Sequence, residues 1–289
     1  MIENLRVDAI PTLRDPVLVA GFAGWNDAAN AATYALTSLI AAWTPRRFAE
    51  IDPEEYYDFT STRPTIVLAP DGQRRLQWPS NVFYAHELPE TRRDVVILLG
   101  TEPELKWRGF TSIVVDLARR VDVSCLITLG GLLADVPHTS PTRLSGFGWP
   151  PGLMRQLESH GVELSTYEGP TGIIGALHDA WRETQKPSMS LWASVPHYIS
   201  ATPNPQASLA LLQRLSAILR VSIPHRALEV QAEAFGEKVE EALEENPEAR
   251  EYVRQLEEQI EDSVEAPTPE LFDELEEFLR TNRGDGSAD

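Results

Sequence analysis

Short apolar runs rich in β-branched side chains recur along the first two thirds of the chain, at Val17-Leu-Val-Ala-Gly21, Thr65-Ile-Val-Leu-Ala69, Val95-Val-Ile-Leu-Leu-Gly100, Val123 to Leu129 and Leu191-Trp-Ala-Ser-Val195. Runs of this length, apolar on both faces, predict buried strands. Most are followed by a pattern of helical period, over Asp27 to Trp43, Trp107 to Arg120, Pro150 to His160, Thr171 to Trp181 and Pro205 to Leu219. Strands alternating with helices predict an α/β fold: three layers, α/β/α, around a mainly parallel, mixed sheet. Between the first and third runs, Arg47 to Asp58 and Arg74 to Ala85 read as additional strands of antiparallel type, with Trp78-Pro-Ser-Asn81 as a break.

From Arg226 the pattern changes. Leu228, Ala232, Phe235, Val239 and Leu243 lie on one face of a Glu-rich helix that Pro247 interrupts. A second helix carries Tyr252, Val253, Leu256 and Ile260, and a third, opened by Pro269, carries Leu271, Phe272, Leu275 and Phe278. Residues 281–289 contain two glycines and almost nothing apolar, which predicts an unfolded end. The expected organisation is an α/β domain over 1–225, an acidic helical tail over 226–280 and a disordered terminus.

Charge sharpens that division. Residues 226–289 carry a net charge of −15 and the rest of the chain only −4. A field of this sign repels phosphate backbones and favours basic partners, so nucleic acid is not an expected ligand. Ala28 to Pro45 has no charged residue, but Asn30, Thr33, Thr37 and Ser38 interrupt it and Ala dominates it, which predicts a buried helix and not a membrane span. The N-terminus lacks the apolar core of a signal peptide, and the single cysteine, Cys125, sits in an apolar run where a disulfide within the chain is impossible. A cytoplasmic protein is expected.

Candidate chemistry gathers on loops that follow the strands, because the carboxyl ends of a parallel sheet open onto a crevice where ligands bind. The crevice candidates are Gly24, Trp25, Asn26, Asp27, Thr101, Glu102, Gly130, Gly131, Thr171 and Gly172. Gly21 and Gly24 lead from a strand into a helix, but no third glycine and no Gly-Lys-Ser/Thr follows, so neither nucleotide fingerprint is met and no cofactor is expected. Asp27 reads first as a helix cap, with a ligand role as the alternative. Glu102 and Glu104, beside Lys106, read as solvated or paired carboxylates, with acid and base work as the alternative. Asp135, His138 and His197 fall short of a zinc spacing, so no metal is expected. Were the chain an enzyme, Asp27, Glu102, Asp135, His138 and His197 would be the catalytic candidates.

Five ordered stretches, Gly21-Phe-Ala-Gly-Trp-Asn-Asp-Ala28, Leu99-Gly-Thr-Glu-Pro-Glu-Leu-Lys-Trp107, Leu129-Gly-Gly-Leu-Leu-Ala-Asp-Val-Pro-His-Thr139, Gly169-Pro-Thr-Gly-Ile173 and Leu191-Trp-Ala-Ser-Val-Pro-His-Tyr198, resemble the PAC2 family, named for a proteasome assembly chaperone. The resemblance covers about residues 5–220, and the family's actinobacterial branch is similar also in having an acidic helical extension. It implies a fold resembling purine nucleoside phosphorylases without their activity, a homo-oligomer such as a trimer, and the handling of proteasome α subunits. The family's better understood members end in a hydrophobic-Tyr-any tripeptide that docks on the proteasome ring; this sequence departs from that pattern, ending Ser287-Ala-Asp289. The leading expectation is a non-enzymatic assembly chaperone that binds α subunits or another basic protein surface. The alternatives are an enzyme or sensor for a nucleoside-like or amine-containing small molecule, and a purely structural oligomer.

Overall fold

The computed structural model describes residues 2–199 and 201–264. In chain order the elements are β1 (Leu5–Val7), β2 (Val17–Ala23), α1 (Ala31–Trp43), β3 (Arg46–Ile51), β4 (Thr65–Leu68), β5 (Arg74–Gln77), β6 (Asn81–His86), β7 (Val95–Thr101), α2 (Trp107–Arg120), β8 (Cys125–Ala134), β9 (Leu144–Trp149), α3 (Pro151–Ser159), β10 (Glu163–Leu164), α4 (Ile173–Arg182), β11 (Ser188–Pro196), α5 (Pro205–Leu219), α6 (Arg226–Glu244) and α7 (Pro247–Val264). Nine strands form one sheet in the order β1-β3-β6-β7-β2-β8-β11-β9-β10. The central four, β7, β2, β8 and β11, are parallel, while β6, β3 and β1 on one side and β9 on the other are antiparallel additions.

Strand β2 shows why its sequence carries no polar position. Val17 and Val19 enter one apolar core with Leu36 and Leu39 of α1 and Leu211 and Leu215 of α5. Leu18, Ala20 and Phe22 point the other way, into a second core with Phe110 and Val114 of α2 and Ile174 and Leu177 of α4. Helices α1, α3 and α5 thus cover one face and α2 and α4 the other, which makes the architecture three-layered α/β/α. At the amino ends of β2 and β7, Asp94 is almost fully buried. It accepts hydrogen bonds from the Arg14 amide at 2.7 Å, the Arg14 guanidinium at 2.7 Å and the Leu88 amide at 3.0 Å. Burial alone would push its carboxyl up; the Arg14 guanidinium and the two amides outweigh this and hold it below the usual carboxylate range.

Several expectations from the sequence are corrected. Thr65 to Ala69 is not a buried strand: among the described residues β4 pairs only with β5, as a hairpin outside the main sheet, and every residue of both strands is exposed. An apolar run specifies a strand that wants cover, not where the cover comes from. The break read at Trp78 does divide Arg74 to Ala85 into β5 and β6, but these lie in different sheets, and the extended segment after Arg47 stops at Ile51, where Pro53 opens a 3-10 turn capped by Asp52. Gly130 to Ala134 continues β8 and is not loop; paired to β11 along its length, it ends at Ala134. The glycine-rich β9 carried too weak an apolar signal to be foreseen.

By packing, the described chain divides between Glu240 and Glu241, later than the 225/226 boundary read from charge. The reason is Leu228, whose side chain joins the first apolar core, so the opening of α6 belongs to the body. In the second unit, α7 buries Val253 and Leu256 and pairs Arg254 with Glu251 and Glu258 on its exposed side. The third tail helix and the disordered terminus read from the sequence lie outside the described residues. Among the described residues no helix is long and apolar enough to cross a membrane. The uncharged stretch from Ala28 is mostly α1, with Ala31, Ala32, Ala35, Leu36 and Leu39 buried.

Candidate functional site

At the carboxyl ends of the parallel strands the loops do converge, and Glu102 is the knot. One of its carboxylate oxygens accepts the Trp25 amide at 3.0 Å; the other accepts the Asn26 side-chain amide at 2.7 Å and the Ile173 amide at 2.7 Å. Three segments are joined this way: the loop leaving β2, the loop leaving β7, and the free amino end of α4, whose partial positive charge suits a carboxylate. Two glycines make the approach possible. Gly24 has φ +134°, and a Cβ there would lie 2.9 Å from the Glu102 Cβ; a Cβ at Gly172 would lie 2.3 Å from Asn26 Nδ2 and 2.5 Å from Glu102 Oε1. The Thr171 side chain turns back over Gly175, and Thr101 offers its carbonyl to the Tyr57 hydroxyl at 2.6 Å.

Asp27 takes the capping role. Its carboxylate accepts the Ala32 amide at 2.7 Å, the Thr33 amide at 3.3 Å and the Thr33 hydroxyl, across a short 3-10 turn at residues 28–30. Burial raises its pKa, and those three donors work against the rise. Asp27 and Gly131 continue the β2–β8 pairing by one bridge, and the Gly131 amide donates to the Asn26 carbonyl at 2.9 Å. Gly130 lies under the Trp192 ring, 2.5 Å from where its own Cβ would be.

Neither Glu104 nor Lys106 joins Glu102. Glu104 accepts the Asp58 amide at 2.5 Å and the Thr62 hydroxyl at 2.9 Å, fastening the segment before β4, while Lys106 pairs with Glu55. Of the expectation that these loop carboxylates are solvated or paired with Lys106, the pairing is corrected: Glu104 is exposed, and both carboxylates accept backbone amides. The three remaining candidates separate into two groups. His197 pairs with the exposed Asp135 at 3.1 Å. His138 is buried, with Nδ1 2.8 Å from the Tyr198 hydroxyl and Nε2 3.0 Å from the Glu240 carboxylate. The Tyr198 hydroxyl also accepts the His138 amide at 2.8 Å, so a tautomer with Nε2–H donating to Glu240 and Nδ1 accepting from Tyr198 satisfies the chain of bonds. Tyr198 and Glu240 were not foreseen, because bonds across 60 and 102 residues leave no local spacing to read.

Cys125 offers no nucleophile: burial pushes its thiol up to about 12, so it stays protonated near neutrality. Among the described residues no group of three His, Cys, Asp or Glu side chains could hold a metal ion. What this end of the sheet does present is apolar surface. Trp25 is 65% exposed, Leu133 60% and Tyr167 67%, each on a loop or strand end of the same edge. Polar groups that could have faced a ligand hold the loops to one another, and large apolar side chains face outward.

A three-layer sheet with loops knotted in this way defines a class of α/β protein, and comparison with known proteins places it. The PAC2 family model matches residues 21–243, and the chain belongs to the PAC2 family. A PAC2 family protein of Streptomyces avermitilis is 42% identical, with a TM-score of 0.74 over 78% of this chain and 95% of that one. A proteasome-assembly chaperone homologue of Mycobacterium tuberculosis is 41% identical, with a TM-score of 0.74 over 82% and 99% of the two chains. A second Mycobacterium tuberculosis protein, of unknown function, is 26% identical with a TM-score of 0.81, over 91% and 92%. No protein of curated function matches the chain.

Proposed function

We propose that this chain is a non-enzymatic, cytoplasmic chaperone-type factor that binds other protein subunits, with proteasome α subunits as its clients. The observation that carries the reading is the β4–β5 hairpin. Its register sets Ile66 opposite Leu76 and Leu68 two residues further along the same face, and these three are 64%, 55% and 74% exposed. A lone two-stranded hairpin is marginal in water, and a clustered apolar face of this kind is the mark of a protein contact. Arg74 stands on the same face and Trp78, edge-on to Phe59 with ring centroids 4.7 Å apart, follows at its base. The likeness to a protein described as a proteasome-assembly chaperone homologue supports the choice of client. The carboxylates of Asp27 and Glu102, engaged with the protein's own amides, speak against the small-molecule enzyme.

We propose with it what the family resemblance implies, a homotrimer, and that the acidic residues beyond Arg226 are drawn to basic client surface. Light scattering on the full chain should then give three times the 32.2 kDa subunit mass, and a monomer mass at working concentration would remove the trimer. Client binding is tested with purified α subunits and the full chain: a saturable complex supports the role, and its absence at high micromolar concentration counts against it.

A further inference from the structure

Far from the Glu102 knot, at the amino end of β11, a second feature stands on the face covered by α4. The Thr128 hydroxyl on β8 lies 2.9 Å from His178 Nε2, which fixes that helix over this face. Thr128 pairs with Ser190 and Ser190 with Phe147, so Phe147, and Trp149 two residues on, share the face; Ser188 stands opposite Trp149. Phe147, Trp149, Ser188, His178 and, one helical turn beyond it, Arg182 wall a cavity of about 300 Å³. A water's share of liquid is ~30 Å³, so this is room for one single-ring molecule.

The lining is chemically selective. Two aromatic side chains offer apolar faces. His178 Nε2 is engaged by the Thr128 hydroxyl and its Nδ1 is out of solvent contact, so the ring enters the wall as a packed surface. Burial, reinforced by the neighbouring Arg182 charge, pushes the His178 pKa down to about 4, so near neutrality the imidazole is an uncharged part of the wall and not a second cation. Among the described residues that leaves Arg182 as the one cation of the wall. It is 3.8 Å from Asp179, a long pair between two well-exposed side chains, so the guanidinium is free to turn toward a planar anion.

We infer that this cavity binds a small aromatic carboxylate, with its ring against Phe147 and Trp149, its carboxylate on Arg182 and a polar ring substituent toward Ser188. The site is separate from the hairpin and from the loops that Glu102 ties, so it stands whether or not the client reading does.

The probe is 4-hydroxybenzoate, added to the full chain and followed by saturation-transfer NMR and calorimetry. The expected result is saturable binding with a dissociation constant of about 1 mM or tighter, which is what roughly ten well-placed heavy atoms supply. Arg182→Gln should weaken it about tenfold with no change in melting temperature, since Arg182 is a surface side chain. Unaltered protein should bind neutral 4-hydroxybenzyl alcohol about tenfold more weakly than the acid, a comparison that needs no variant to fold. No saturation transfer at about 10 mM probe, or equal affinity for the acid in Arg182→Gln, or equal affinity for acid and alcohol, would each overturn the assignment.

Discussion

Replacing Glu102 with Ala is expected to destabilise the protein by about 3 kcal/mol and to lower its melting temperature by roughly 6–12 °C. Three donors lose their acceptor at once: the Trp25 amide, the Asn26 side chain and the Ile173 amide at the start of α4. The Trp25 amide lies near solvent and can find water, so most of the cost falls on the other two. Glu102→Gln keeps a carbonyl oxygen for one or two of those donors but places an NH2 group among the others, and should recover only part of the loss. Differential scanning calorimetry on both variants gives the order: parent, then Gln, then Ala. A Glu102→Ala protein that melts with the parent would mean that the knot is not what holds these loops.

A loss of similar size is expected for Asp94→Ala, at the opposite end of the sheet. Taking one partner from a buried, hydrogen-bonded charge pair costs roughly 3–5 kcal/mol, and because Arg14 is half-exposed and can rehydrate, the lower end applies. The pH dependence follows from the sign of the shift. Asp94 has a folded pKa below its unfolded value, so its contribution is complete above the unfolded pKa near ~3.9 and is lost as the pH falls through the folded value. Urea midpoints taken between about pH 7 and pH 2 should therefore show an acid limb in the parent that is shallower in Asp94→Ala. Parallel curves in the two proteins would assign the acid sensitivity elsewhere.

These two knots sit at opposite ends of the same parallel strands, and they were unequally legible. Strand β2 and helices α2 and α5 could be read from apolar pattern alone, because each buries a continuous face of the body and its period survives in the sequence. Helix α5 adds a local signal, the Asn204 cap followed by Pro205. Glu102 could be placed at the right end of the sheet, but its partners could not: Asn26 and Ile173 are 76 and 71 residues away and meet it only because β2 and β7 are neighbours and α4 returns to the same edge. Asp94 was not singled out at all, since Asp beside Arg on a chain is commonplace and its true partner, Arg14, is 80 residues distant. The hairpin failed for a different reason. Thr65-Ile-Val-Leu has the composition of a core strand, and among the described residues it has no core to enter.

That mismatch gives the client reading its physical content: a segment with the composition of an interior, carried on an exterior. Titrating purified proteasome α subunits against the full chain and against its Ile66→Ser/Leu68→Ser/Leu76→Ser variant tests it most directly. The three side chains are exposed, so the variant should melt with the parent while its affinity for α subunits falls by about a hundredfold, as truncation of a central apolar anchor does. Equal affinity in the two proteins, or no complex with either, would contradict the account.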